Sequence, residues 1–300
     1  MAIHKFIVCA PPYLNGSAGV IVLHELCDAL VRLGYEAYIL LMQYSNGSWN
    51  FNYSDDDKFF NKKLKRNRLD SDEMELVINS ILDNGICIYP EVVQGNPLNA
   101  KNVVRYFLYH EGKITGKSSN QGESDFIVAY SSVFVKNYHM ELFKPVVDDA
   151  MHDAGTAASK DRSLNLTYFG KGVNYANCFL IDNSVELAKD WPQTKEQLAT
   201  LLRSTRYLFC WDNHSSIAVD AIHCGAIPVL IQKNQFIDEN ELDRSPPYLW
   251  LVINDGVGSI EHPPDYEQKR DAYLKMIAER KNEWLENVNS FALASVHYFD

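Results

Sequence analysis

Two aspartates eight residues apart, Asp212 and Asp220, frame the part of the chain best equipped for chemistry. The run Trp211-Asp212-Asn213-His214-Ser215-Ser216 leads into Ile217-Ala218-Val219-Asp220-Ala221-Ile222 and on to Cys224-Gly225-Ala226-Ile227-Pro228-Val229. A strand runs out at Asp212 and a helix begins two or three residues on. The backbone N–H groups of Ser215 and Ser216 would then be uncapped donors at a helix N-terminus, an anion site suited to a diphosphate. Asp220 lies on a helix that is apolar almost all round, and such a helix is expected to be buried. A buried carboxylate needs hydrogen-bond donors, and its two oxygens can accept both hydroxyls of a ribose diol. Upstream, Phe169-Gly170-Lys171-Gly172-Val173-Asn174 sets a lysine between glycines after a strand. Glycines admit a ligand close to the backbone, and the ammonium can neutralise a departing nucleoside diphosphate. Plainer roles stay open: a helix cap for Asp212, an ion pair or exposure for Asp220, a solvated turn for Lys171.

Such a site needs strands that end where the ligand binds, and the chain supplies them twice. Lys5 to Ala10 reads as a strand, broken by Pro11-Pro12-Tyr13-Leu14-Asn15-Gly16. From Ser17 the apolar residues Val20, Leu23, His24, Cys27, Leu30 and Val31 recur at helical spacing. Gly34 ends that helix and Tyr35 to Met42 is the next strand, a βαβ unit that implies a parallel sheet. Residues 43–72 read as a long polar loop. A helix is expected near 72–83, a strand at Ile86 to Tyr89, a helix from Leu98 to Leu108 and a strand at Asp125 to Tyr130. Residues 150–163 read as a linker. The alternation then restarts with strands at Leu164 to Phe169, Arg206 to Trp211, Ile227 to Ile231 and Tyr248 to Ile253. Helices are expected near 194–204, from Ser215 to Cys224, and over 264–290. The fold class is therefore α/β, with two Rossmann-like domains at 1–155 and 156–300 facing a cleft. The last helix is a candidate to pack back on the first domain. Ligands of such sheets bind beyond the carboxyl ends of the strands.

Three hundred residues suit two domains of about 150 each. The hydrophobic fraction of 46% and the charged fraction of 22% are those of an ordinary globular protein. A net charge of −11 argues against nucleic acid as a partner. The six cysteines are widely spaced without a C-x-x-C pair, which points to a reducing compartment and no structural zinc. The first apolar stretch is too short for a signal peptide, and no apolar run reaches the roughly 20 residues that span a bilayer. A cytoplasmic protein is expected, within reach of peripheral contact at the inner face of a membrane. The first βα turn offers only Gly16-x-x-Gly19, which falls short of the dinucleotide fingerprint. There is no G-x-S-x-G for a hydrolase and no H-E-x-x-H for zinc.

The spacing of Asp212 and Asp220 before the Cys224-Gly225-Ala226-Ile227-Pro228-Val229 strand resembles the E-x7-E motif of GT-B glycosyltransferases. Gly16-Ser17-Ala18-Gly19 is similar to that family's glycine-rich loop, and Gly170-Lys171-Gly172 to its basic diphosphate-binding segment. The stretch from Tyr89 to Tyr106 resembles bacterial surface-polysaccharide transferases of the group. Both acids are Asp where the family has Glu, so each reaches about one methylene less. The resemblance implies a metal-independent hexosyltransferase-like enzyme. It would move a sugar from a nucleotide-sugar donor, a substrate rather than a cofactor, to a glycan or lipid-linked acceptor hydroxyl. Retention of configuration and a place in surface polysaccharide or lipopolysaccharide biosynthesis follow from the same likeness. It further implies that Lys171 and the helix N–H groups at Ser215 and Ser216 stabilise the leaving diphosphate. Asp220 would hold the ribose and Asp212 the sugar hydroxyls, while Gly16, Ser17, Gly19, Gly170, Gly172 and Asn174 line the substrate. His110, in Tyr109-His110-Glu111, would orient or deprotonate the acceptor. A metal-dependent GT-A enzyme is signalled by D-x-D after a buried strand. Asp55-Asp56-Asp57 and Asp70-Ser71-Asp72 fit the letters but follow polar segments. Two readings from other classes stay open: a GT-B-like nucleotide-sugar epimerase, and a catalytically silent domain that binds a glycan or a partner transferase.

Overall fold

The run Lys5–Ala10 buries every residue after Lys5 and forms strand β1, as a strand covered on both faces must. In the computed structural model the described residues are 5–69, 73–153, 161–174, 177–188, 190–212, 215–231, 246–254 and 257–300. Helix α1 covers Ala18–Arg32, with Ser17 as its N-cap in extended backbone. It closes as a Schellman motif: Gly34 takes φ +89°, its N–H donates to Val31 and that of Tyr35 to Leu30. Strand β2 is Glu36–Ser45 and β3 is Ser48–Asn52. Helix α2 covers Met74–Asn84, followed by β4 (Ile86–Pro90), β5 (Asn102–Phe107), β6 (Phe126–Ala129) and β7 (Met140–Glu141).

These strands form one sheet in the order β3-β2-β1-β4-β5-β6-β7, parallel except for the β2–β3 hairpin. This is a doubly wound order with its switch point between β1 and β4. Ile7, Cys9, Cys87, Tyr89 and Val103 share one buried face with Ile81 of α2. Phe6 points the other way and meets Phe291 at 6.5 Å.

Two expectations fail in this region. The supposed loop at 43–72 contains β3, because Asn46-Gly47 adopts positive φ at both residues (53° and 81°) and turns the chain into a hairpin. The supposed helix at Leu98 to Leu108 is strand β5, whose six residues are all buried. The Asn96 side chain bonds both the N–H and the C=O of Ala100, and Asn99 takes φ +53°, so the chain turns there. The run Asn102–Phe107 then enters the sheet with β-branched and aromatic residues that suit a central parallel strand. Of the two acidic triplets, Asp55 and Asp57 are paired with Arg66, and Asp57 also with Arg68. Asp70 to Asp72 lie outside the described residues.

The second sheet is built from β8 (Leu164–Tyr168), β9 (Val185–Leu187), β10 (Thr205–Cys210), β11 (Ile227–Leu230), β12 (Leu249–Asn254) and β13 (Val257–Glu261). Its order is β13-β12-β11-β10-β8-β9, parallel throughout except for the last hairpin, β12–β13. Helices α3 (Lys195–Ser204) and α4 (Ser216–His223) pack Leu198, Ala199, Leu202, Ala218 and Ala221 on Leu166, Leu208 and Cys210. Helix α4 ends as α1 does, with Gly225 at φ +78° and a second Schellman pair, Gly225 to Ile222 and Ala226 to Ala221. The expected single helix over 264–290 is two: α5 (Tyr266–Asn282) and α6 (Trp284–Phe299).

The chain divides into one unit of Met1–Pro145 with Arg280–Asp300 and a second of Val146–Glu279. Within the first unit α6 packs beside α1. The start of the expected linker belongs to the second core, since Met151 is buried there and Arg203 Nη1 donates to the Ala150 carbonyl at 3.1 Å. Residues 154–160 of that linker lie outside the described residues.

Arg105 on β5 is fully buried and holds the first unit's turn chemistry together. Its Nη1 donates to the Val93 carbonyl at 2.8 Å, and its Nη2 to the Gly95 carbonyl at 2.7 Å and to Asp125 Oδ2 at 3.2 Å. Removing it leaves a buried carboxylate and two carbonyls without their donor. Arg105→Ala is therefore expected to lower stability by about 3–5 kcal/mol. Arg32→Ala removes a half-exposed guanidinium from a buried Asp28 that keeps the Lys65 N–H as donor, and should cost about 1 kcal/mol. Urea unfolding of both variants checks the contrast, and equal losses would refute it.

Candidate functional site

Strands β8 and β10 are parallel neighbours, yet the chain leaves β8 toward β9 on one side and returns through α3 to β10 on the other. The switch point of the second sheet therefore falls between β8 and β10, where the connections that follow run in opposite directions. The register pairs Cys210 with Tyr168, so both strands end level. Beyond them lie Gly170-Lys171-Gly172 on one strand and Trp211-Asp212 on the other.

Residues Gly170–Asn174 form a 3₁₀ turn immediately after β8. The turn rests directly on the end of β10. The Lys171 N–H donates to Asp212 Oδ2 at 3.0 Å, and the Gly172 N–H to the Phe169 carbonyl at 2.9 Å. Gly170 takes φ +50°, and a Cβ there would lie 2.8 Å from Asp212 Oδ2. A Cβ on Gly172 would lie 2.6 Å from the Trp211 carbonyl oxygen. Gly172 is thus required by close approach to the Trp211 backbone, and Gly170 by its positive φ and the side chains of Tyr168 and Asp212 beside it, independently of any ligand. Asp212 is buried, and its carboxylate ties the loop that carries Lys171 to the loop that leads into α4.

Ser215 is the N-cap of α4, its hydroxyl accepting from the Ile217 N–H at 3.4 Å. The Ser215 N–H itself reaches the Asp212 carbonyl at 3.4 Å. Ser215 is thus a capping residue, which corrects the expectation of a wholly uncapped helix start; Ser216 is the first helical residue. The Tyr168 phenol is pushed up by burial, with a hydrogen bond from Ser215 working against that shift. Phe179, half-exposed, stands edge-on to Trp211 at 5.1 Å and gives this end of the sheet an aromatic rim.

Asp220 is buried as its apolar helix requires, at 2% exposure. Its Oδ2 accepts from Lys195 Nζ at 3.2 Å. Burial raises its carboxyl above the ordinary 3.8, opposed by Lys195 and reinforced by Asp148. Sequence reasoning missed Lys195. Thr194 and Gln197 form a capping box, a local signal that places Lys195 at a helix start, but the partnership with a residue 25 positions on is tertiary.

In the first unit, Gly16 is exposed with open space around it, and the Ser17 side chain makes no capping hydrogen bond. A Cβ on Gly19 would lie 3.6 Å from Cδ1 of Leu108, the residue after β5, an ordinary contact distance. His110 follows a strand, where a helix was expected. Its ring packs against Tyr109 at 5.3 Å and Phe134 at 5.0 Å, within an aromatic group that continues to Tyr130. The structure thus gathers Gly170, Lys171, Gly172, Asp212 and Ser215 at one switch point. Asp220 lies beside Lys195, and Gly16 to Gly19 and His110 in the first unit. Asn174 closes the 3₁₀ turn. Among the described residues, no cluster of His, Cys, Asp and Glu is arranged to hold a metal ion, and no helix is long and apolar enough to cross a membrane.

The backbone contact at Gly172 has a measurable consequence. Gly172→Ala is expected to destabilise by about 1–3 kcal/mol, because the turn must lift off Trp211. Gly16→Ala should stay within about 0.5 kcal/mol. Thermal unfolding of the two variants reads the difference, and a neutral Gly172→Ala would refute the docking. Asp220 gives a second test. Its folded value is raised, so the stability it contributes is complete below about pH 4 and is lost as pH rises through the folded value. The stability of the wild type relative to Asp220→Asn, taken from urea titrations at stepped pH, should therefore fall across that window and then level off. A relative stability that climbs with pH would mean a carboxyl held below its ordinary value.

No family model matches the chain, and no curated protein matches it. Among solved structures the chain is similar to the catalytic domain of starch synthase IV from Arabidopsis thaliana, bound to ADP and acarbose. The identity is 10% and the TM-score 0.38, over 100% of this chain and 99% of that one.

Proposed function

We propose that this chain is a metal-independent glycosyltransferase whose second unit binds a nucleotide-sugar donor. The observation that carries the reading is the junction at the switch point between β8 and β10. There a turn with a glycine on either side of Lys171 is docked on Asp212, next to the start of α4. A donor diphosphate suits this junction chemically: the helix start favours negative charge, and Lys171 supplies a cation.

In the reaction, the bond from the sugar's anomeric carbon to the diphosphate oxygen breaks, and a bond from that carbon to the acceptor oxygen forms. The electron pair of the broken bond goes to the diphosphate, so charge grows on the leaving group as the transition state is reached. Lys171 and the backbone donors near Ser216 act on that growing charge, which lowers the barrier rather than merely tightening the ground state. Asp212 fixes the Lys171 loop and is the carboxylate assigned to the sugar hydroxyls. The acceptor, a glycan or a lipid-linked sugar, is assigned to the first unit, where Gly16 to Gly19 lie at the carboxyl end of β1. His110 is the group there assigned to the proton of the acceptor hydroxyl. Retention of configuration, work on a surface polysaccharide and a cytoplasmic setting belong to the same proposal.

A thermal-shift series with UDP, GDP, ADP, CMP and dTDP tests it. A nucleotide at 100 times its dissociation constant is expected to stabilise the wild type by about 2.7 kcal/mol. With a donor of that nucleotide and a glycan acceptor, Lys171→Ala should lower kcat/KM by about 10²–10³-fold. A wild type that responds to none of the five, or a Lys171→Ala variant that binds and turns over unchanged, would sink the reading. Sugar isomerisation without an acceptor would make the chain an epimerase. Binding without turnover, unaffected by Asp212→Asn, would make it a silent binding domain.

A further inference from the structure

Lys195 opens α3, and its place is fixed by the capping box: Thr194 Oγ1 accepts from the Gln197 N–H at 3.2 Å, and Gln197 Oε1 accepts from the Thr194 N–H at 3.3 Å. Helix α3 runs into the start of β10, so its own start lies on the carboxyl-end side of the second sheet. The Gly170–Asn174 turn and the first turn of α4 lie on that same side. From there the Lys195 ammonium reaches Asp220 on the second turn of α4 at 3.2 Å.

The two halves of this pair differ in access. The Asp220 side chain is 4% exposed and the Lys195 side chain 26%. The carboxylate is spent inward on the ammonium, while the ammonium keeps donors for something outside. A lysine head has three donors and no acceptor, so the group it takes is an anion. Stability alone gives little reason for the pair, because an apolar pair of similar volume at a buried position is often as stable or more so. A buried acid that holds a half-exposed lysine at the ligand end of a parallel sheet makes chemical sense as a positioning device.

We infer that Lys195 is a further anion-binding residue of the donor site, contacting a phosphate of the nucleoside diphosphate, and that Asp220 is the residue that positions it. This rests on the nucleoside-diphosphate reading of the switch point given above. It gives Asp220 an indirect role, through Lys195, in place of direct contact with ribose.

The test is calorimetric titration of the wild type, Lys195→Ala, Lys195→Arg, Asp220→Asn and Lys171→Ala with the diphosphate that gives the largest thermal shift among UDP, GDP, ADP and dTDP. The ligand-free melting midpoint of each variant is recorded alongside. Lys195→Ala is expected to weaken binding about tenfold, the value of one charge-assisted hydrogen bond. Lys195→Arg should restore most of it, and Asp220→Asn should weaken binding severalfold. If Lys195→Ala does not fold, Lys195→Gln takes its place. Wild-type affinity in Lys195→Ala or Lys195→Gln, with Lys171→Ala impaired, overturns the role of Lys195 and leaves the donor site standing. A fall in melting midpoint with no arginine rescue of binding also overturns it, as the mark of a purely structural pair. Failure of every diphosphate to bind the wild type removes both the donor site and this inference. Wild-type affinity in Asp220→Asn, with Lys195→Ala impaired, removes the positioning role alone.

Discussion

The turn after β8 is docked against the end of β10, with the Asp212 carboxylate filling the space between the two loops. A methyl on Gly172 would fall 2.6 Å from the Trp211 carbonyl oxygen, and one on Gly170 would fall 2.8 Å from the Asp212 carboxylate. With that approach in place, the Lys171 N–H and Asp212 Oδ2 form a hydrogen bond across neighbouring strands. The strand order does the rest. Because β9 lies on one side of β8 and β10 on the other, the connections leave the two strand ends in opposite directions. The position of the loop that carries Lys171 depends on this one contact.

Two aspartates flank that junction in different environments, and the difference follows from what each helix or loop packs against. Asp212 lies at a strand end, where backbone N–H groups are at hand to hydrogen-bond a carboxylate. Asp220 lies buried on α4, where Lys195 at the start of α3 donates to it. Burial raises its carboxyl despite the lysine. The pair adds a charged link to the apolar packing of α3 and α4 in one core. That coupling puts an ammonium where the sheet's ligand end begins.

The first unit shows the same logic with a larger cation. Arg105 occupies a position on a central strand where an apolar residue is usual, and its guanidinium reaches two carbonyls of the turn after β4 and the acid before β6. A planar fork of donors can satisfy a turn and a neighbouring loop at once, which a lysine cannot. The irregular segment from Val93 to Gly95 is thereby fixed without secondary structure of its own.

The sequence by itself determined the periodic parts. The α/β alternation, the spans of α1 and α4, both glycine-closed helix ends and the burial of Asp220 could be read from apolar spacing, because helix and strand periods are local properties. The hairpin at Asn46-Gly47 was legible too, since that dipeptide alone demands the turn, but the polar residues around it hid the short edge strand. The strand at Asn102–Phe107 was misread because a run of apolar residues with Arg105 inside it fits either period. Only burial on both faces, with Asp125 and two carbonyls around the guanidinium, decides for the strand. Tertiary structure alone decided which residues meet. The switch point between β8 and β10 is a matter of strand order, and the Lys195–Asp220 pair joins two helices. The contact of Gly172 with Trp211 joins two loops 39 residues apart. Each brings together groups whose separation along the chain carries no trace of their distance in space.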